Sequence, residues 1–391
     1  MPIQIIDKKK CTGCEACKNI CPKLCINMKE DLLGFSYPVV NYKNCIHCEL
    51  CIKTCPLINI NEDIGIVKRD VDVYACWSLD REIRYHSTSG GMFSELSKIV
   101  LEDGGYLVGA AYNLECNVQH VIGANDFDLQ KIRQSKYTQS RIGEVFIQVK
   151  RLLDNGEKVL FCGTPCQIMG LKKYLKKEYE NLISVDFICR GVNSPKAYRY
   201  WLKELEETNN SNVTNVWFKY KSGGWKKSPM CTRIDFQNGR KCIQKGNKNY
   251  YMRGYLGPNL YIRPSCSDCK FKSANRSSDI TLADFWGISK ELDDDQGTSL
   301  LLIHTENGRK LFMRCRNNLF AEKRTLDEIL EGNACFNESV KINSKSEEFL
   351  ARLGEKPFSK LVKEYTYVPL YSRVKNKIFR TFKKIDRMVK R

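Results

Sequence analysis

CTGCEACKNICP (residues 11–22) and CIHCELCIKTCP (residues 45–56) are two copies of one spacing, C-x2-C-x2-C-x3-C-P. Four thiolates so spaced wrap a cubane iron–sulfur cluster, and a doubled run wraps two. Zinc sites instead use CxxC pairs at separated positions. Four cysteines in eleven residues, closed by Cys-Pro and then repeated, therefore point to iron and sulfide. The first candidate ligands are Cys11, Cys14, Cys17, Cys21, Cys45, Cys48, Cys51 and Cys55.

Around these runs, residues 1–66 read as one unit, its two arms joined by DLLGFSYPVVNYKN. Such a unit has little apolar core, so its clusters would hold it together. In two-cluster ferredoxins the fourth cysteine of each run crosses to the other cluster. That pattern assigns Cys11, Cys14, Cys17 and Cys55 to one cluster and Cys45, Cys48, Cys51 and Cys21 to the other. Cys25 is left over and reads as a small buried hydrophobe. His47 reads as a surface residue.

The chain has 391 residues, 42% of them hydrophobic, enough for two or three domains with real cores. Its 20 cysteines crowd into CxxC groups, unlike the disulfide frameworks of short secreted chains. The formal charge is +19. The basic residues are spread out and no nucleic-acid module appears, so nucleic acid is not an expected partner. A basic surface suits an acidic one-electron carrier, so a ferredoxin or other redox protein is expected. No run of eighteen apolar residues suggests a membrane span, and MPIQIIDKKKC lacks a signal peptide's apolar stretch. A cytoplasmic protein is expected.

Beyond the charged linker NEDIGIVKRD, strands and helices alternate. DVYACW (72–77) reads as a strand. Ser89 is placed to cap a helix with Met92, Phe93, Leu96, Ile99 and Val100 on its apolar face. Gly104 and Gly105 stop that helix, and YLVGAAY follows as a strand. Residues 141–153 read as an amphipathic helix and KVLF (158–161) as a strand. In GTPCQ, Thr164 and Pro165 suit a helix N-cap and first position, so Cys166 falls in a first helical turn at a strand's C-terminal end. LISVDFICRG (182–191) reads as another strand. Such alternation predicts an α/β domain with functional loops at strand ends. Residues 211–262 read as an antiparallel excursion, a further strand ends at Asp284, and 325–391 reads as helical.

Cys166, Cys189, Cys266 and Cys269 each lie beside Gly, Pro or Ser in loop contexts, and four such thiols can close a third cluster. Unrelated buried thiols are the alternative. Cys76, Cys116, Cys162, Cys231, Cys242, Cys315 and Cys335 read as packing, with Cys162 the first substitute for a ligand.

HSTSGG (86–91), SKYTQS (135–140), FCGTPCQ (161–167), DFICRGVNSPK (186–196) and CSDCKFKSANRSSDITLADFWG (266–287) resemble the coenzyme F-420 hydrogenase/dehydrogenase beta-subunit family. The resemblance covers roughly residues 70–300. An N-terminal bacterial-type two-cluster 4Fe-4S ferredoxin domain is a common fusion in that family. The resemblance implies FAD and one core [4Fe-4S] cluster on Cys166, Cys189, Cys266 and Cys269, hence three clusters in all. It maps flavin contacts onto Ser89, Gly90, Gly91, Ser135, Lys136, Tyr137, Gln139, Gly163, Thr164, Asn275, Arg276 and Asp284. Glycines at a helix start let backbone N–H groups approach phosphate, although a lone SGG is usually only a turn. Lys136 could meet a flavin phosphate or a reduced flavin, or be a surface lysine. Tyr137 could stack on a ring or belong to the core. No catalytic residue is identified.

The expected architecture is α+β or α/β: a ferredoxin-like two-cluster domain (1–66), a mixed α/β flavin-binding core in regions 70–150 and 151–310, and a helical basic extension (325–391). The expected activity is an FAD- and iron–sulfur-dependent oxidoreductase, with hydride moving to or from an organic substrate or deazaflavin. The alternative is an electron-transfer subunit that serves a partner enzyme. The tail YSRVKNKIFRTFKKIDRMVKR places Val374, Ile378, Phe382, Ile385 and Val389 on one helical face. That pattern suits peripheral contact with the inner membrane surface, and equally a helix packed on the protein. A peripheral position would suit a role in surface polysaccharide biosynthesis.

Overall fold

The computed structural model describes residues 3, 7–58, 71–228 and 231–367. The basic face in the tail lies outside the described residues.

In the first module, each cysteine run is preceded by a 3-10 turn, Lys8–Lys10 or Tyr42–Asn44. The side chains of Asp7 and Asn41 cap these turns by accepting the amides of Lys9 and Lys43. Glu15 and Glu49 then each adopt φ 61° and open the short helices Ala16–Asn19 and Leu50–Lys53. The sequence repeat is thus a repeat of backbone conformation. Between the arms, β1 (Ile26–Glu30) and β2 (Ser36–Val40) form an antiparallel hairpin.

The core is organised by an eight-stranded sheet of order β13-β3-β12-β11-β7-β6-β4-β5. Its centre is parallel: β4 (Tyr106–Tyr112), β6 (Val159–Cys162), β7 (Leu182–Phe187) and β11 (Ile280–Asp284) run the same way. On the flanks, β5 (Val118–Gly123), β12 (Ser299–Ile303), β3 (Asp72–Ser78) and β13 (Leu319–Arg324) pair antiparallel. Continuous apolar runs such as SLLLI in β12 are buried throughout, as strands covered on both faces require. Leu96, Ile99 and Val100 of the helix Met92–Glu102 cover one face together with Leu311 and Phe312. Phe146, Val149, Ile168 and Leu171 cover the other.

The antiparallel excursion is β8 (Val213–Phe218), β9 (Thr232–Phe236) and β10 (Lys241–Gln244). It packs into an aromatic cluster with Tyr198, Trp201, Tyr251, Tyr261, Phe349 and Phe358.

Several local expectations change. Ser89 does not cap Met92–Glu102; its hydroxyl donates to the Thr298 carbonyl at 2.6 Å, and Gly91, at φ 99°, stands at the cap. LISVDFICRG leaves the sheet after Phe187, which frees Cys189 and Gly191 for a loop. Among the described residues after 325, α-helix is confined to Leu326–Gly332, Ser346–Ala351 and Phe358–Tyr365. No helix among the described residues is long and apolar enough to cross a membrane.

The first module packs tightly on the core. Phe35 and Tyr37 enter the aromatic cluster, and buried Glu15 pairs with Arg141 at 2.7 Å. Gly34 has φ 85°, and a Cβ there would come within 2.2 Å of Lys196 Cβ. Gly34→Ala is therefore expected to destabilise the protein by about 1–3 kcal/mol, since it combines a left-handed backbone with a clash. A lowered urea midpoint under anaerobic conditions checks this, and an unchanged midpoint contradicts it.

Candidate functional site

The parallel strands β6, β7 and β11 lie side by side, and their C-terminal ends open onto a cavity of about 650 Å³. In open α/β sheets this is where ligands bind. After β6 the chain turns at Gly163, and Thr164 and Gln167 close a reciprocal capping box with Pro165 as first helical residue. Cys166 is thereby fixed in the first turn of the helix Pro165–Leu175. Its Sγ lies 3.1 Å from the Thr164 hydroxyl. After β7 comes Cys189, then Gly191 at φ 137°, where a Cβ would stand 3.2 Å from Cys266 Cβ. Cys266 lies in the 3-10 turn Pro264–Asp268, and Cys269 caps it.

Cys166, Cys189, Cys266 and Cys269 all line the cavity, as do Cys162 and Cys335. Burial pushes the Cys166 thiol up to about 12, with Cys269 and Cys266 adding to the rise. Burial likewise holds Cys189 well above the usual thiol range, with Cys266 and Cys166 its nearest electrostatic neighbours. Thiols so placed keep their protons at neutral pH unless a metal centre replaces them. Among the described residues no three His, Cys, Asp or Glu side chains converge as a single ion needs.

In the first module, Cys21, Cys45, Cys48 and Cys51 line a small cavity of about 20 Å³. The Cys17 thiol is raised by burial, then by Cys14, Cys11, Cys55 and Cys51. These are the neighbourhoods of the two expected ligand sets. Cys25 is buried in the module's small core, as expected, and lines the small cavity with Sγ 3.3 Å from that of Cys21. His47 and Cys48 are exposed. Cys14 feels Cys166 electrostatically, and a Cβ on Gly170 would lie 3.1 Å from Cys14 Sγ. The first module therefore meets the core beside its cavity.

Ten expected flavin contacts line the large cavity: Ser89, Gly91, Ser135, Lys136, Tyr137, Gln139, Gly163, Thr164, Arg276 and Asp284. Gly90 is absent from its lining; its amide donates to Ser299 Oγ at 2.9 Å. Asn275 is exposed and away from the cavity. Several lining residues already have partners. Lys136 Nζ donates to the carbonyls of Lys131, Ile132 and Arg133 at 2.8–2.9 Å, closing the end of the helix Asp126–Ile132. Burial lowers its pKa to about 7, while those carbonyls favour the ammonium. Gln139 donates to the Thr12 carbonyl at 3.1 Å, at the module junction. Tyr137 packs edge-on against Phe218, ring centroids 5.2 Å apart. Asp284 pairs with Lys219 at 2.7 Å, whose ammonium sits 4.1 Å from the Trp286 ring centre.

Arg276 is different. Its side chain is only 2% exposed, Asp186 lies at 3.5 Å, and none of its guanidinium nitrogens has a hydrogen-bond partner. Asp186 is raised by burial and lowered by Arg276.

Sequence reading missed Asp186, Lys219 and Lys272. Lys272 donates to the carbonyls of Cys189 and Cys335 at 2.7 and 2.8 Å. It also missed Asn333–Cys335, which joins the lining from beyond the recognisable motifs. CKFK places Lys272 three residues after Cys269, a detectable signal. Lys219 has none, since only folding carries β8 to the cavity.

Residues 156–329 match the family model for the C terminus of the coenzyme F420 hydrogenase/dehydrogenase beta subunit. Residues 10–57 match a 4Fe-4S dicluster domain. A region similar to the C terminus of that beta subunit thus follows a dicluster-type N-terminal domain in one chain. The dicluster match supports iron–sulfur clusters in the first module. No curated protein matches it. A similar solved chain comes from the xenon-derivatised F420-reducing [NiFe] hydrogenase complex of Methanosarcina barkeri: 16% identity, 76% of this chain and 92% of that one, TM-score 0.43.

Cys166→Ser is expected to remove about four iron atoms per chain while the reduced N-terminal clusters keep their paramagnetic resonance. Loss of the N-terminal signals instead would show that the ligand sets are divided differently.

Proposed function

We propose that this protein is an FAD-dependent iron–sulfur oxidoreductase with three [4Fe-4S] clusters, two in the first module and one in the core. The observation that carries the reading is buried Arg276, whose unbonded guanidinium lines the same cavity as four cysteines. Paired with Asp186 at 3.5 Å, the guanidinium still has donors without acceptors, and planar N–H donors suit the diphosphate of a dinucleotide. When bound, the clusters carry single electrons, and the flavin exchanges a hydride with an organic substrate or deazaflavin.

The chain's own residues hold and orient. Cys11, Cys14, Cys17 and Cys55 would ligate the inner N-terminal cluster, and Cys21, Cys45, Cys48 and Cys51 the outer one. Cys166, Cys189, Cys266 and Cys269 would ligate the core cluster. Arg276 would anchor the flavin's phosphates beside Ser89, Gly91 and Ser135. The Thr164 hydroxyl lies 3.1 Å from Cys166 Sγ, and Lys272 puts positive charge at Cys189. Trp286 and Phe271 bring apolar surface to the cavity and help keep water out.

The reading as an electron-transfer subunit rests on the exposure of Cys48, which puts the outer ligand set where a redox protein, such as a ferredoxin, could reach it. A co-purifying partner and no activity alone would favour it. Nothing among the site residues bears on surface polysaccharide chemistry.

Anaerobic reconstitution is expected to give about twelve iron atoms and one FAD per chain. Arg276→Ala is expected to lower flavin occupancy at least tenfold and leave iron unchanged. A protein that carries its iron but binds no flavin overturns the flavoenzyme reading.

A further inference from the structure

Arg263 is wholly buried, and among the described residues its guanidinium has no carboxylate partner. Its three donor nitrogens meet neutral acceptors. Nε donates to the Cys11 carbonyl at 2.7 Å, Nη1 to Gln139 Oε1 at 2.8 Å, and Nη2 to the Ser36 carbonyl at 3.0 Å. The guanidinium carbon lies 4.5 Å from the Tyr37 ring centre. Glu15, the buried acid of the same junction, is committed to Arg141. Neutral acceptors satisfy the hydrogen bonds of a buried cation but do not balance its charge, and an unbalanced interior charge is strongly disfavoured.

The position of Arg263 shows where the balance comes from. One donor rests on the backbone of Cys11, an inner-cluster residue. Three residues along the chain is Cys266, whose amide donates back to the Arg263 carbonyl at 3.0 Å. On the other side, a Cβ on Gly13, between Cys11 and Cys14, would stand 2.9 Å from Arg263 Nη1. It therefore stands between the ligands of two clusters that belong to different modules.

The geometry points to Arg263 as the shared counter-ion of the inner N-terminal cluster and the core cluster, a positioning residue that makes both easier to reduce. The assignment rests on the three-cluster reading above. Each cluster with its four thiolates is anionic, and one-electron reduction adds a further negative charge. A fixed cation beside it in a low-dielectric junction favours the reduced form and raises its potential. The guanidinium hydrogen-bonds to none of Cys21, Cys45, Cys48 and Cys51, so the outer cluster serves as the internal control.

The test is a redox titration of the reconstituted full chain, followed by paramagnetic resonance of each cluster. Arg263→Gln keeps hydrogen-bonding capacity and removes the charge. It should make the inner and core midpoints more negative, with at least a tenfold fall in reduced-to-oxidised ratio at fixed potential, about 59 mV for one electron. The outer midpoint should not move. Arg263→Lys keeps the charge and should keep both midpoints. Where Arg263→Gln fails to fold, Gln139→Glu gives the guanidinium a carboxylate partner in place and should lower the same two midpoints. The assignment is overturned if all three iron sites fill but the two midpoints stay put, or if the outer midpoint falls equally. A wild-type protein lacking the third cluster signal would instead remove the reading on which the assignment rests.

Discussion

Everything at the site depends on three parallel strands lying side by side. Cys166 and Cys189 follow β6 and β7 to one edge, where β11 ends at Asp284; Cys266 and Cys269, from the turn before β11, are held there by the Asn193–Ile262 bridge and the Arg263 amide on the Val192 carbonyl. The register is specific: Phe161 faces Ser184, and Val185 faces Ile280. A slip by one residue would turn each strand's buried side chains to the opposite face. Three different backbone devices aim the thiols. They are the capping box at Thr164, the glycine at 191 and the proline-led turn at 264. The sheet supplies proximity and the turns supply direction.

The first module could not have the same rigidity alone. Its own cluster of buried residues is Ile3, Cys17, Cys21, Cys25, Ile26 and Cys51, mostly the thiols themselves. So small a unit buries too little apolar surface to fold on packing alone. Its other apolar residues are used against the core: Phe35 and Tyr37 in the aromatic cluster, Ala16 beside Ile168 and Leu171. Docking and cluster assembly are therefore two halves of one stabilisation. The same packing seats Cys14 against the helix that carries Cys166.

The legible parts of the sequence were those whose signal is local. The cysteine runs, the GTPCQ strand-to-helix turn and the Gly104–Gly105 stop each carry their geometry in a few residues, and the described chain follows them closely. What was illegible depends on partners far away. Ser89 looks like a cap until β12 is placed beside it, when the Thr298 carbonyl claims its hydroxyl. Gln139 looks like a ligand contact until the first module docks and offers the carbonyl of Thr12. Cys335 looked like packing because no local pattern marks it, yet the turn Ala334–Phe336 carries it to the cavity. Asn275 sits inside a recognisable motif but faces solvent. Motif membership places a residue near a site without fixing which way its side chain points.

The charge around the cavity connects these observations. Arg133, Lys136, Arg190, Lys219, Lys272 and Arg276 line it, against the carboxylates Asp186 and Asp284. Lys219 and Asp284 neutralise one another, and Asp186 stands only at ion-pair distance from Arg276. The rest is a surplus of positive charge in a largely buried space, and burial opposes it: Arg133 is lowered for that reason. Protein interiors keep such surpluses where an anion answers them. The core cluster and diphosphate proposed above are two anions of the sign this lining would balance. Arg263 extends the same logic beyond the cavity wall, to the seam where the first module meets the core.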